Sequence, residues 1–360
     1  MKRGKVVALV GAQLGSEGKG VVAHYMSADF DISIRTGAPN AGHSFVHQSK
    51  LYKMQSIPCA WTNPDCLLVI GPGALVNLQI LQAEIDMLTR DGVDDLNYRL
   101  VIDSAAGILE QRHHAAEGGV DGALHARIGS TGEGVGAARV DRLSRDPERF
   151  RLAQHCPELA GLKVRVEDST TLVRDMVSSG KRALLEGTQG CGLSLIHGAW
   201  PHVTTQDTNA AQFAADAGLP PQWVSDVVLV ARTYPIRVAG PSGPMHRELT
   251  WENMSERVGK KVVEMTTVTK KIRRIGEWDE PLMRKAVWLN DPAWIALTFM
   301  DYLSPEDEGK VKFESLSPKA QQFIYYVEST FSVFVRLIGT AWDPAKGWTC
   351  IDRAPTLNLR

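Results

Sequence analysis

Three observations predict an α/β fold with a mostly parallel central sheet flanked by helices. The β-branched run Val6–Val10 passes through a glycine loop into a helix-like stretch, Val21–Ser27. Strand, glycine loop and helix form the first unit of such a fold. Short apolar runs then alternate with helical stretches, as a sheet covered on both faces requires. Two long glycine-rich segments interrupt the alternation, and long loops inside a compact fold are usually functional.

Taken in order, Val6–Val10 ends at Gly11 and reads as a buried strand, followed by the loop Ala12–Gly20 and the first helix. Further strands are expected at Ile32–Arg35, Leu67–Ile70, Arg99–Ile102, Arg182–Leu185 and Val227–Ala231, with helices including Leu78–Asp91 and Thr170–Ser179. The glycine-rich segments are Gly118–Gly136 and Gly187–Gly198, the second extending to Asn209. No repeat, low-complexity tract or Pro/Ser linker divides the chain, so one domain over residues 1–360 is expected.

Composition excludes several classes. The 360 residues carry 40 basic and 41 acidic side chains, which argues against a protein that coats nucleic acid. The 44% hydrophobic and 22% charged content is that of an ordinary globular protein. No run of about 18 apolar residues occurs, so no membrane span is expected. The basic start runs directly into the glycine loop without a small-residue cleavage site, unlike a signal peptide. Five scattered cysteines without a C-x-x-C pair indicate a reducing cytoplasm, with neither disulfides nor zinc. His113-His114 lies in a polar helix-like stretch and is expected to be solvated. Trp278, Trp288 and Trp294 read as core or interface packing, and His246 has no assignment.

The first loop carries the strongest chemical signal. Aligned on Gly18-Lys19, a standard G-x-x-x-x-G-K-[ST] phosphate loop would place glycine at Gln13 and a hydroxyl at Gly20. Amides at a helix N-terminus still favour phosphate, and Lys19 adds a point charge. On these residues alone a mere tight turn stays open.

The departure from the standard loop resembles the adenylosuccinate synthetase family, whose loop is G-D-E-G-K-G. Asn40-Ala41-Gly42-His43-Ser44 resembles its N-A-G-H-T, and Ile128–Gly136 its I-G-T-T-G-R-G-I-G. Glu186–Gly190 is similar to E-G-A-Q-G, His197–Thr204 to H-G-T-Y-P-x-V-T, and Thr266–Arg274 to the aspartate loop. The motifs stand in the family's order from Gly15 to Arg274.

The resemblance implies a P-loop-like fold and a two-step ligase. A nucleoside triphosphate phosphorylates the purine 6-oxygen, and the L-aspartate amine then displaces the phosphate. Phosphorylation turns a poor leaving group into a good one, and phosphoryl transfer needs mainly positioning and charge neutralisation. By resemblance the catalytic residues are Ser16, Lys19, His43 and Gln189. Phosphate and donor binding fall to Ser16, Glu17, Gly18, Lys19, Gly20, Gly42, His43, Ser44 and Asp301. The monophosphate would meet Ser16, Asn40, Ser130, Thr131, Gln189, Thr204 and Val238, with Arg145 reaching across a homodimer. A solvated helix face is the alternative for Arg145. The aspartate site would use Thr267, Val268, Thr269, Lys271 and Arg273, Lys271 standing where arginine is usual and unable to fork onto a carboxylate. For Lys270–Arg274 a surface charge run remains open. Magnesium would bridge phosphate oxygens, with Ser16 and the Gly42 carbonyl beside it.

Three departures bear on substrate. Ser16 replaces the family's aspartate, Thr298-Phe299-Met300-Asp301 replaces the guanine-reading T-K-x-D, and Gly339–Pro344 replaces S-T-G-P-x-R. Serine at position 16 is similar to the phage-type 2-aminoadenylosuccinate synthetase branch, which implies dGMP as substrate, because a shorter side chain leaves room for the 2-amino group. Phe299 and Trp342 offer stacking surface in place of a polar guanine pocket, so ATP or dATP is the expected donor. An adenylosuccinate synthetase acting on IMP is the alternative, and an inactive nucleotide-binding regulator is the alternative of another class. The partners expected are small molecules and a second copy, with no nucleic acid or membrane.

Overall fold

The computed structural model describes residues 3–119, 122–162, 164–266 and 271–353. Its centre is a ten-stranded sheet. In chain order the strands are β1 Val6–Gly11, β2 Ile32–Arg35, β3 Leu67–Ile70, β4 Leu100–Asp103 and β5 Arg165–Glu167. They continue with β6 Ala183–Glu186, β7 Val224–Arg232, β8 Trp294–Thr298, β9 Val335–Asp343 and β10 Gly347–Asp352. Their spatial order is β10-β9-β8-β7-β1-β6-β2-β3-β4-β5. Every neighbouring pair is parallel except β9 and β10, a terminal hairpin.

Strand β1 explains why the sheet is double-covered. Side chains alternate across a strand, and Val6, Ala8 and Val10 enter one hydrophobic cluster while Val7 and Leu9 enter the other. All five are 3% exposed or less. Each fully buried aliphatic side chain of this size stabilises by about 1.5–3 kcal/mol, so a continuous apolar run is stable only with helices on both faces. Helices such as Leu78–Arg90 supply them: Leu81 and Leu88 are buried, and Asn77 caps the first turn by accepting from the amides of Gln79 and Ile80.

The expected strands are present, Ile32–Arg35 and Leu67–Ile70 with the expected bounds and the other four with an end displaced by one to three residues. The region after Ala231, where no strand was expected, adds three to the central sheet, and a separate small sheet of Ile236–Arg237, Glu248–Leu249 and Arg274–Gly276. Gly339–Asp343, which stand in place of the family's S-T-G-P-x-R, lie in β9. His113 corrects the solvated reading: it is 1% exposed, its Nδ1 accepts from the Glu110 amide at 2.9 Å, and Nε2 lies 3.3 Å from Asp141. Trp278 and Trp294 pack against the core, whereas Trp288 is 77% exposed. Among the described residues no helix is long and apolar enough to cross a membrane.

Candidate active site

In a parallel sheet, ligands collect beyond the carboxyl ends of the strands. Here β1 runs into the loop 12–18, β2 toward His43, β6 ends at Glu186, β7 at Arg232, and β8 at Thr298. Ser16, His43 and Thr298 line a cavity of about 620 Å³, within the size range of small-molecule sites, while Glu186 and Arg232 are buried behind its wall.

The first loop is held from inside. Glu17 is fully buried, and its carboxylate accepts from the amides of Gln13 (3.0 Å) and Gly15 (2.8 Å) and from Lys19 Nζ at 2.5 Å. The Glu17 side chain is not part of the cavity lining and braces the loop from inside, so the phosphate contact expected of this residue would fall to its backbone amide. A carboxylate there could only repel an anion. Ser16 is exposed to the cavity with φ 60°, and Gly18 has φ 97°. Gly20 shows why the usual hydroxyl is absent: a Cβ would lie 2.8 Å from His43 Cβ and 2.9 Å from the Ser44 amide.

His43 opens a two-stranded hairpin, 43–47 with 50–54. Its Nδ1 donates to Glu186 Oε1 at 2.6 Å, and the same carboxylate accepts from Arg35 Nη1 (2.7 Å), the Cys59 amide (2.7 Å) and Cys59 Sγ (3.1 Å). Burial works against the Glu186 charge, but the His43 and Cys59 hydrogen bonds and the Arg35 guanidinium outweigh it and hold the carboxyl below its usual range. Burial first, then the Arg35 and Lys19 charges, pushes the His43 imidazolium down to about 4. His43 is therefore neutral near pH 7, with its proton on Nδ1 and a buried Nε2 that has no partner among the described residues. A lone pair beside the loop can accept a proton, and Glu186 would stabilise the cation formed. Glu186, Arg35 and Cys59 were not expected here. Glu186 was visible only as the first residue of a motif, at the end of a strand.

Asn40, Gly42, Ser44, Ser130, Thr131, Gln189, Thr204 and Val238 line the same cavity. Glu117 holds the loop before the helix Val135–Ser144, accepting from the amides of Gly134, Gly136 and Ala137 at 2.9, 2.6 and 3.1 Å. Nothing in the sequence pointed to it. Arg145 lies outside the cavity, exposed at the end of that helix with φ 57°. Arg273 lines the cavity, while Lys271 sits apart with Nζ 3.1 Å from His125 Nε2. Thr267, Val268 and Thr269 lie outside the described residues. At the far end stand Phe299, Asp301, Tyr302, Trp342 and Trp348. Burial, with a smaller push from Glu308, raises the Asp301 carboxyl to about 6.

A glycine loop with Lys19 after β1, a buried carboxylate–imidazole pair beside it and Arg273 on the same cavity are a set that can neutralise anionic groups and move a proton. The family model of adenylosuccinate synthetase matches residues 8–160 and 151–312. The chain belongs to the adenylosuccinate synthetase family. It is therefore a C–N ligase of that type. Adenylosuccinate synthetases of Methanococcus aeolicus and Methanocaldococcus jannaschii are 37% and 38% identical over 335 residues, covering 92% of this chain and 95% and 93% of theirs. Among solved structures, the cyanophage S-2L succinoaminodeoxyadenylate synthetase bound to dGMP and dATP is similar at TM-score 0.77 and 28% identity, covering 95% of this chain and 94% of that one. The fully ligated Plasmodium falciparum adenylosuccinate synthetase shares the fold at TM-score 0.83 and 22% identity, covering 98% and 100%.

Proposed function

We propose that this synthetase joins L-aspartate to C6 of dGMP, using ATP or dATP, to give N6-succino-2-amino-2'-deoxyadenylate, nucleoside diphosphate and phosphate. Ser16 carries the reading: it is exposed to the cavity where the family has an aspartate, and its short side chain leaves room for a 2-amino group. The likeness to a phage enzyme bound to dGMP and dATP supports it. The two archaeal relatives, both named adenylosuccinate synthetase, favour IMP as the second reading.

In the first step guanine N1–H loses its proton and O6 attacks the γ-phosphoryl group, expelling the diphosphate. In the second the aspartate amine adds at C6 and phosphate leaves. A serine hydroxyl is too weak an acid to act as an alkoxide base, so Ser16 is given the role of hydrogen-bonding and relaying the N1 proton. Lys19 and the loop amides neutralise phosphate charge, and His43, backed by Glu186, takes or returns a proton at the travelling phosphoryl. Gln189, Asn40, Ser130, Thr131, Thr204 and Val238 would surround the monophosphate, and Arg273 the aspartate carboxylates; Lys271 would reach them only after leaving His125. Adenylosuccinate synthetases use magnesium. The Ser16 hydroxyl and Gly42 carbonyl suit such a hard cation, but Glu17 is committed to its loop, so donor phosphates would supply most of its ligands. When bound, the ion neutralises phosphate charge.

We also read the chain as one domain, working as a homodimer in which Arg145 reaches the partner's monophosphate. Its exposed helix also presents Val140 and Leu143, 64% and 77% exposed. The deciding experiment offers dGMP, GMP, IMP and dIMP with L-aspartate and ATP, and identifies the succinylated product by mass spectrometry. Preference for dGMP is expected, and preference for IMP replaces the proposal with the second reading. A several-fold higher kcat/KM with GTP than with ATP overturns the donor assignment.

A further inference from the structure

Arg232, the last residue of β7, is completely buried. Its amide donates to Gln13 Oε1 and its carbonyl accepts from Gln13 Nε2, both at 3.0 Å. Gln13, which stands where a standard phosphate loop has glycine, thus ties that loop to the strand end. The guanidinium then reaches three parts of the cavity. It forks onto Glu264, with Nη2 to Oε1 at 2.5 Å and Nη1 to Oε2 at 3.2 Å. Nη1 also donates to the Ser16 carbonyl at 3.3 Å, and the guanidinium carbon lies 3.8 Å from the centre of the Phe299 ring.

Each contact belongs to a different ligand. Ser16 sits in the phosphate loop. Glu264 starts the stem of the aspartate hairpin, where its carbonyl accepts the Arg273 amide at 2.9 Å. Phe299 stands at the donor-base end. Phe299 is held with φ 57° and ψ 41°, a backbone region that a bulky side chain occupies only under strain. The Thr233 hydroxyl donating to its carbonyl at 2.5 Å and an edge contact with Tyr302, 5.4 Å between centroids, keep it there. The family's lysine at this position would set a second cation against Arg232. Phenylalanine instead gives the guanidinium a ring face while Glu264 takes its edge.

We propose that Arg232 is a positioning residue that couples the two substrate ends of this cavity through Phe299 and Glu264, so that an adenine donor and L-aspartate bind with positive cooperativity. A base packed against Phe299 and Tyr302 and an aspartate held by Arg273 favour the same arrangement of ring, guanidinium and stem. The first ligand therefore stabilises the arrangement that the second needs. The effect is reciprocal in binding affinity. This inference rests on the ligase reading above.

The test is calorimetric titration of ADP and, in parallel, GDP into the full-length protein, with and without saturating L-aspartate, so that no turnover is involved. In the wild type, aspartate is expected to tighten ADP binding about five- to thirtyfold, the range from an exposed to a desolvated cation–π contact. Phe299→Leu should bring that factor close to one, and Phe299→Tyr should restore it. Glu264→Gln should reduce it from the aspartate side. If Phe299→Leu weakens ADP binding but leaves the aspartate factor unchanged, Phe299 is only a base contact and the coupling is wrong. A wild-type factor of one for both nucleotides overturns it as well. Absence of aspartate-dependent phosphate release with any purine monophosphate overturns the ligase reading instead, and is measured separately.

Discussion

Replacing Asp301 by asparagine should make the protein more stable by an amount that grows with pH. Asp301 is 8% exposed, and burial raises its carboxyl from the ordinary 3.8 to about 6. Folding thus favours the protonated form. Below pH 3.8 both states are protonated and the group has no effect. Between 3.8 and 6 the unfolded chain releases the proton while the folded one keeps it, so stability falls as pH rises, and above 6 the loss is complete at about 3 kcal/mol. About 1.4 kcal/mol of this falls between pH 5 and pH 7.5. Asparagine has the same shape and does not titrate. Urea unfolding of the wild type and Asp301→Asn at pH 5 and 7.5 isolates the effect, because every other titrating group cancels in the difference. The stability difference should increase by about 1.4 kcal/mol at the higher pH. A difference that stays constant, or reverses, would falsify the assignment of a raised Asp301 carboxyl.

Other changes address the chemistry directly. Glu186→Gln removes the carboxylate that backs His43 and leaves buried Arg35 without its counter-charge, so kcat should fall about 10²- to 10⁴-fold and the protein should lose about 3–5 kcal/mol of stability; near-normal aspartate-dependent phosphate release would refute the role. Ser16→Ala should lose about 10²–10⁴ in rate with dGMP, while Ser16→Asp, in a left-handed position that aspartate tolerates, should shift preference toward IMP. Product analysis across the four monophosphates decides both, and a fully active Ser16→Ala sinks the proton-relay role. Arg145→Ala should raise the KM for monophosphate about tenfold or more, and mixing it with Lys19→Ala should restore activity through hybrid sites. No recovery despite proven subunit exchange would show that Arg145 does not act across an interface.

The sequence by itself determined the fold class, the family and most of the cavity wall, for a local reason. Val6–Gly20 specifies strand, turn and helix through β-branched residues, glycines and an apolar run, all contiguous in the chain. The same holds for Asn40–Ser44 and Gly187–Thr204, whose motifs survive as short words because a loop must follow its ligand closely. Tertiary structure alone decided which charges face which. Glu17 looked like part of a phosphate-binding word, yet its carboxylate turns inward to Lys19 and the loop amides. His113 sits among polar neighbours in sequence but meets Asp141, a residue of another helix, in the interior. Arg35, His43, Cys59 and Glu186 come from four separate segments, and Arg232, Glu264 and Phe299 from three. Such sets form where parallel strands end side by side, an adjacency set by crossover connections and strand order. Pairing energies between buried charges depend on distance and desolvation, neither of which is written in the spacing of residues along a chain.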